Sequence, residues 1–230
     1  MGLGSIWNSP NLKVKPKMLT FDVITLFPEL FEEHLNHLPF KKAIQKGLLK
    51  VNLHNLRDYA LDSYGTVDGK PYGGGTGMVL MVEPISKALG RIENKERTVL
   101  MSPRGKKFDQ KKAGEYAGLQ QITLICGRYE GVDARVEEHL VDESVSVGDY
   151  VLSGGELPAL AIMESVTRLL PGVLEKEDAA AKESFENGFL EHPQYTRPED
   201  FKGMKVPEVL LSGNHKEIEK WKKENSTKID

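Results

Sequence analysis

The stretch that decides the fold runs Cys126-Gly-Arg-Tyr-Glu-Gly131-Val-Asp133 and resumes after thirteen residues as Val147-Gly-Asp-Tyr-Val-Leu-Ser-Gly-Gly-Glu-Leu-Pro158. Each half follows a short apolar or β-branched run, Gln121–Cys126 and Glu143–Val147. Glycines at strand ends let backbone N–H and C=O groups approach a ligand closely. Two such loops can grip a flat ring and a polar tail from both sides, and a side chain at Gly155 is expected to fill the ligand's space. Neither loop reads G-x-G-x-x-G or G-x-x-x-x-G-K-[ST], which disfavours a dinucleotide fingerprint and a P-loop.

Outward from these loops, strands and helices alternate. Strands are expected at about Thr20–Leu26, Leu49–Leu56, Thr98–Met101, Gln121–Cys126 and Glu143–Val147. Helices fit Pro28–His37, Glu83–Arg91, Asp109–Ala117, Asp133–Leu140 and Leu157–Leu170, with Asp109 and Asp133 as N-caps. This alternation predicts an α/β fold, a parallel sheet with helices on both faces. Pattern alone suggests an ordinary doubly wound sheet, since knots are nearly absent from proteins.

Composition narrows the class. The longest apolar run, Leu157–Met163, is far too short to span a membrane. Met1-Gly2 lacks the Ser or Thr that myristoylation wants at position 6, which is Ile6. The one cysteine, Cys126, permits no internal disulfide and fits a reducing cytoplasm. Net charge is −3, which argues mildly against nucleic-acid binding, but the lysines are clustered. Lys13, Lys15 and Lys17 open the chain; Arg104, Lys106, Lys107, Lys111 and Lys112 form a second group; Lys202, Lys205, Lys216, Lys220, Lys222 and Lys223 fill the tail. Six scattered histidines form no zinc motif.

Residues 1–17 read as a disordered extension or a cloning scar. A large domain is expected over 18–174. Residues 175–192 carry few apolar groups and read as a linker. Residues 193–230 are too few for an independent core and read as a small helical module.

The motifs together resemble those of bacterial tRNA (guanine-N1)-methyltransferases of the TrmD type, in the SPOUT class. The matching segments are Ile24–Pro28, Pro71–Met78, Leu100–Pro103, Cys126–Asp133, Gly148–Pro158, Ser165–Arg168, Pro171–Leu174, Pro193–Glu199 and Leu210–His215. They keep one order from about Leu19 to about Trp221. The resemblance implies a C-terminal trefoil knot in the parallel sheet, a cytoplasmic homodimer with a composite active site, and tRNA as partner. It implies methyl transfer from S-adenosyl-L-methionine to N1 of the guanosine at position 37. Mg2+ is used in the family, but no site for it is readable. Two alternatives stand beside this reading: a SPOUT enzyme for another RNA or a ribose 2′-OH, and a non-catalytic RNA-binding homologue.

N1 of neutral guanine carries a proton and is a poor nucleophile. Methylating it calls for a carboxylate base, a donor near O6 and a rigidly held methyl group. By resemblance the base is Glu183, in Glu183-Ser-Phe where the family has Asp, and the O6 donor is Arg168. Cofactor contacts fall on Leu100, Ser102, Pro103, Gly127, Tyr129, Glu130, Gly131, Val147, Gly148, Tyr150, Leu152, Gly154, Gly155 and Pro158. Glu130 is the expected partner of the methionine ammonium. Asp68 and the loop Gly73, Gly74 and Gly75 are expected to hold the guanosine, and Tyr195, Arg197 and His215 to contact the RNA.

Overall fold

A computed structural model describes residues 17–174, 184–185 and 188–228. Its contacts divide the chain into two compact units, one ending at Val173 and the next starting at Leu174.

The first unit is built on one five-stranded sheet. Its strands are β1 (Leu19–Thr25), β2 (Leu49–Asn55), β5 (Arg97–Lys107), β6 (Gln121–Cys126) and β7 (Glu143–Ser146), in the order β2-β1-β6-β5-β7. Every pairing within it is parallel. The interior strands β1 and β6 and the first half of β5 are buried on both faces, as a doubly covered sheet requires. Phe21, Val23, Val99, Met101, Ile122, Leu124 and Cys126 pack in one core with Phe31, Tyr116, Ile162 and Met163, from α1 (Glu29–Leu35), α4 (Gln110–Ala117) and α6 (Glu156–Leu169). Ile24, Leu100 and Ile125 point the other way. They meet Ile85, Leu89 and Val136 of α3 (Val82–Arg91) and α5 (Ala134–His139).

The N-caps form as expected. Lys112 N–H donates to the Asp109 carboxylate and Arg135 N–H to that of Asp133. Three features differ from the sequence reading. A short helix, α2 (Phe40–Gln45), precedes β2, and a 3-10 turn follows it at Leu56–Tyr59. A two-residue hairpin, β3 (Asp68–Gly69) with β4 (Val79–Leu80), brackets the third glycine loop. Third, β5 does not stop at Met101. The chain leaves the sheet over Ser102–Gly105 and returns so that Met101 and Lys106 both align with Val145.

Two polar clusters secure the sheet. The buried Asp22 carboxylate accepts from His54, Asn52 and Gln121 at 2.8, 2.9 and 2.7 Å. Burial opposes its charge, but these donors outweigh burial and hold its pKa below the ordinary 3.8. Glu143 likewise accepts from Lys112, Tyr116 and Arg97, tying α4 and β5 to the start of β7.

The second unit contains α7 (Glu208–Leu211) and α8 (His215–Asn225). It also holds short strand pairs. β9 (Asp200–Phe201) pairs with β10 (Met204–Lys205). β8 (Phe189–Leu190), expected within the linker, pairs with β11 (Thr227–Lys228). Residues 1–16 and 175–183 lie outside the described residues. Among the described residues no helix is long and apolar enough to cross a membrane.

Candidate active site

A cavity of about 320 Å³ opens at the carboxyl ends of β5, β6 and β7. Loops at that end of a parallel sheet are free to approach a ligand while the strands hold them. All fourteen residues expected to contact a cofactor line it. Leu100 comes from the regular part of β5, and Ser102 and Pro103 from its detour. Gly127, Tyr129, Glu130 and Gly131 come from the turn after β6. The rest follow β7 and run into α6.

The turn after β6 is tight. Gly131 has φ +116°, which a side chain rarely tolerates, and Tyr129 sits at φ +60°. Tyr129, Tyr150 and Leu152 are half exposed and line the cavity. Acids and bases share the wall: Glu130, Glu137, Arg104 and Arg128 all line it. Glu137, Arg104 and Arg128 escaped the sequence reading. Cys126 lies just beneath, fully buried; burial and the nearby Glu156 push its thiol pKa well up, so it is an inert core group.

Gly155 corrects the sequence reading. A Cβ there meets Cys126 Cα at 2.8 Å, Gly127 N at 2.9 Å and Met101 Cβ at 2.9 Å. It is glycine because the chain crosses the ends of β5 and β6 in contact, with Gly155 N–H donating to Gly127 C=O at 2.8 Å. Protein backbone, not ligand, occupies that space.

The glycine loop Pro71–Met78 docks beside the cavity. Glu130 N–H donates to Met78 C=O, and Leu80 N–H to Gly131 C=O, both at 3.0 Å. A Cβ on Gly77 falls 2.6 Å from the Glu130 carboxylate. Asp68 aligns with Leu80, whose carbonyl accepts from Asp133 N–H at 2.9 Å. Asp68 therefore stands one strand away from the Gly131 turn. Gly73 and Gly74 are exposed with open space around them.

Arg168 is placed apart. It lines a separate depression with Gln110, Ala161, Glu164, Ser165 and Leu169. Pro158, at the cavity, and Arg168 lie ten residues apart on one helix, which at 1.5 Å per residue is about 15 Å. Glu183 lies outside the described residues. Tyr195, Arg197 and His215 belong to the second unit. Tyr195 packs edge-on against Trp221 at 6.2 Å, and His215 opens α8 behind the cap Asn214.

An ion pair joins the turn after β6 to the first turn of α6. Arg128 Nε donates to Glu156 Oε2 at 2.8 Å, and the Glu156 side chain is 1% exposed. The Thr25 hydroxyl donates to Glu156 Oε1 at 2.9 Å. The guanidinium lies 4.5 Å from the centre of the Phe27 ring. Both charged residues stand inside the motifs, yet nothing in their sequence context pairs them.

With this geometry in hand, comparison with known proteins is decisive. Residues 19–229 match the family model described as tRNA (Guanine-1)-methyltransferase TrmD. The chain belongs to that family. It is 50% identical over 209 residues to a tRNA (guanine-N(1)-)-methyltransferase of Carboxydothermus hydrogenoformans, covering 90% of this chain and 83% of that protein. It is 48% identical to the protein of the same name from Geobacter sp. strain M21, covering 91% and 86%. Among solved structures it resembles the tRNA (m1G37) methyltransferase from Aquifex aeolicus, with TM-score 0.75 and 43% identity over 89% of this chain and 88% of that one. The α/β architecture of TrmD family members, a parallel sheet flanked by helices, is the architecture seen in the first unit.

Proposed function

We propose that this chain transfers a methyl group from S-adenosyl-L-methionine to N1 of the guanosine at position 37 of tRNA, in the cytoplasm. The observation that carries this is the cavity at the strand ends, in a chain of the TrmD family. Its volume falls within the roughly 300–1,000 Å³ usual for small-molecule sites. Its groups suit the ligand. The aromatic and leucine rim matches an adenine ring, and Glu130 and Glu137 match the sulfonium and ammonium charges. Arg104 matches the carboxylate. Bound there, S-adenosylmethionine supplies an electrophilic methyl group.

The protein's residues do the rest. The loop Pro71–Met78 and Asp68 hold the guanine edge beside the Gly131 turn, aiming N1 across the cavity. Glu183 takes the N1 proton, and Arg168 meets the negative charge that builds on O6. The 15 Å between Arg168 and the cavity on one α6 supports a C2 homodimer, with the arginine of one copy serving the cavity of the other. Tyr195, Arg197, His215 and the lysines of α8 present the second unit to the RNA. The trefoil knot is part of the same reading; the crossing of Gly155 over Gly127 and Met101 supports it. Among the described residues no three His, Cys, Asp or Glu side chains gather to hold a metal ion.

The test is radiolabelled methyl transfer to a tRNA transcript with guanosine at positions 36 and 37, with and without Mg2+. Label must appear and must vanish when guanosine 37 is replaced by adenosine. Label retained on the adenosine transcript would sink the reading. Light scattering at micromolar protein must give twice 25.7 kDa; a monomer that is fully active would remove the composite site.

A further inference from the structure

We infer that Arg128 is a positioning residue for the cofactor cavity, acting through the buried carboxylate of Glu156. The inference rests on reading the cavity as the S-adenosylmethionine site. The two loops that form its walls, Gly127–Val132 and Ser153–Pro158, are separated in the chain by α5 and β7. A closed circuit of side chains holds them together. Arg128, on the first wall, donates through Nε to Glu156 in the first turn of α6. The main chains pair at the same place, Arg128 with Gly154. The circuit then leaves the cavity. Glu156 accepts from the Thr25 hydroxyl, that hydroxyl accepts from Phe27 N–H at 3.0 Å, and the Phe27 ring carries the guanidinium.

Three facts separate this circuit from an ordinary surface ion pair. Glu156 is buried, so its charge is uncompensated once Arg128 goes. The guanidinium is held by protein through Nε and across its face on Phe27, so the protein fixes its place on the wall. And Gly154 is glycine to make room for it: with its backbone in an ordinary conformation, a Cβ there would fall on the Arg128 side chain and within 2.5 Å of Glu156 Oε2. The gap between the walls is therefore set before a ligand arrives. A preset gap raises affinity by removing the cost of ordering two loops on binding. It does not touch the reacting atoms, so it belongs in the cofactor's Kd and KM and not in the turnover of the saturated enzyme.

Thr25 supplies the decisive variant. It is fully buried and is not part of the cavity wall. Thr25→Val keeps its shape and removes one hydrogen bond to Glu156. Calorimetry on the full chain with S-adenosylmethionine is expected to give a Kd raised about 3- to 10-fold for Thr25→Val. Arg128→Ala is expected to raise it roughly 10- to 100-fold. Arg128→Lys should rescue only in part, because an ammonium cannot hold Glu156 and lie flat on Phe27 together. In Thr25→Val, which leaves the cavity wall untouched, the cofactor KM rises with Kd, while kcat at saturating cofactor and KM for tRNA stay within about 3-fold of wild type. Wild type that binds no cofactor overturns the reading of the cavity. Wild type that binds, with Thr25→Val of unchanged Kd, overturns the circuit. A fall in kcat at unchanged Kd overturns it too, since Arg128 would then act on the reacting atoms. If Arg128→Ala does not fold, Thr25→Val decides alone.

Discussion

Gly155→Ala is the perturbation that best separates a packing glycine from a ligand glycine. The added carbon sits 2.8 Å from Cys126 Cα and 2.9 Å from Met101 Cβ. Carbon atoms prefer about 3.5–4.0 Å, so the shortfall is roughly 0.6–1.2 Å. Two of the three contacts are backbone atoms at the end of β6, which cannot rotate out of the way. Overpacking of this kind costs about 1–3 kcal/mol, or a fall of about 2–12 °C in melting temperature for a chain of this size. The control is Gly114→Ala, in the middle of α4, where a Cβ meets nothing within 4 Å. It is expected to stabilise by about 0.5–1 kcal/mol through helix propensity. Thermal unfolding of the two variants, followed by circular dichroism without ligand, reads the difference directly. A Gly155→Ala protein that melts with wild type yet fails to bind cofactor would refute the packing argument and restore the ligand-space reading of that glycine.

Three further outcomes are expected. Glu183→Gln should leave cofactor Kd unchanged and lower methyl transfer by about 10²–10⁴-fold; full turnover would move the base elsewhere, with Asp68 the first candidate. Asp22→Asn should cost about 1–3 kcal/mol at pH 7 by urea unfolding. Its folded pKa lies below 3.8, so wild type keeps this contribution above that pH and loses it as the pH falls through the folded value; the two proteins must converge in acid. Native Cys126 should resist iodoacetamide at pH 8 and react fully in denaturant, as a buried thiol with a raised pKa requires.

The interior strands of the sheet were legible because a doubly covered parallel sheet writes itself as apolar runs, as at Gln121–Cys126, while the edge strand Leu49–Asn55 showed as alternation. The helices with polar caps were equally plain. The hairpin β3–β4 was not, since two residues leave no period to read. Nor was the extension of β5, because Pro103 and Gly105 look like terminators; the strand resumes only because Gly105, lacking a side chain, lies directly on Ser144 and Val145. At the site, the cavity wall could be read because backbone-lined loops advertise themselves through glycine. The Arg128–Glu156–Thr25 circuit could not: its members are separated by 28 and 131 residues, and neither spacing follows a helix or strand period. The lysine clusters mislead in part. Lys112 is turned inward to Glu143, while Arg104, Lys106, Lys107 and Lys111 stay exposed, Lys107 paired at the surface with Asp149.

The order β2-β1-β6-β5-β7 has a consequence for how the chain is made. Of the five strands of the sheet, the first in sequence becomes an interior one. Its partner β2 follows within about thirty residues, but on its other edge Thr20 waits for Gln121. At about 5–20 residues per second that interval is roughly 5–20 s on the ribosome. Throughout it, Leu19-Thr-Phe-Asp-Val-Ile-Thr25 offers an unpaired edge rich in β-formers, the composition of a self-associating segment. Asp22 stands at its centre. The carboxylate that ends up gripped by His54, Asn52 and Gln121 is, until Gln121 arrives, an open negative charge that repels identical edges on neighbouring nascent chains.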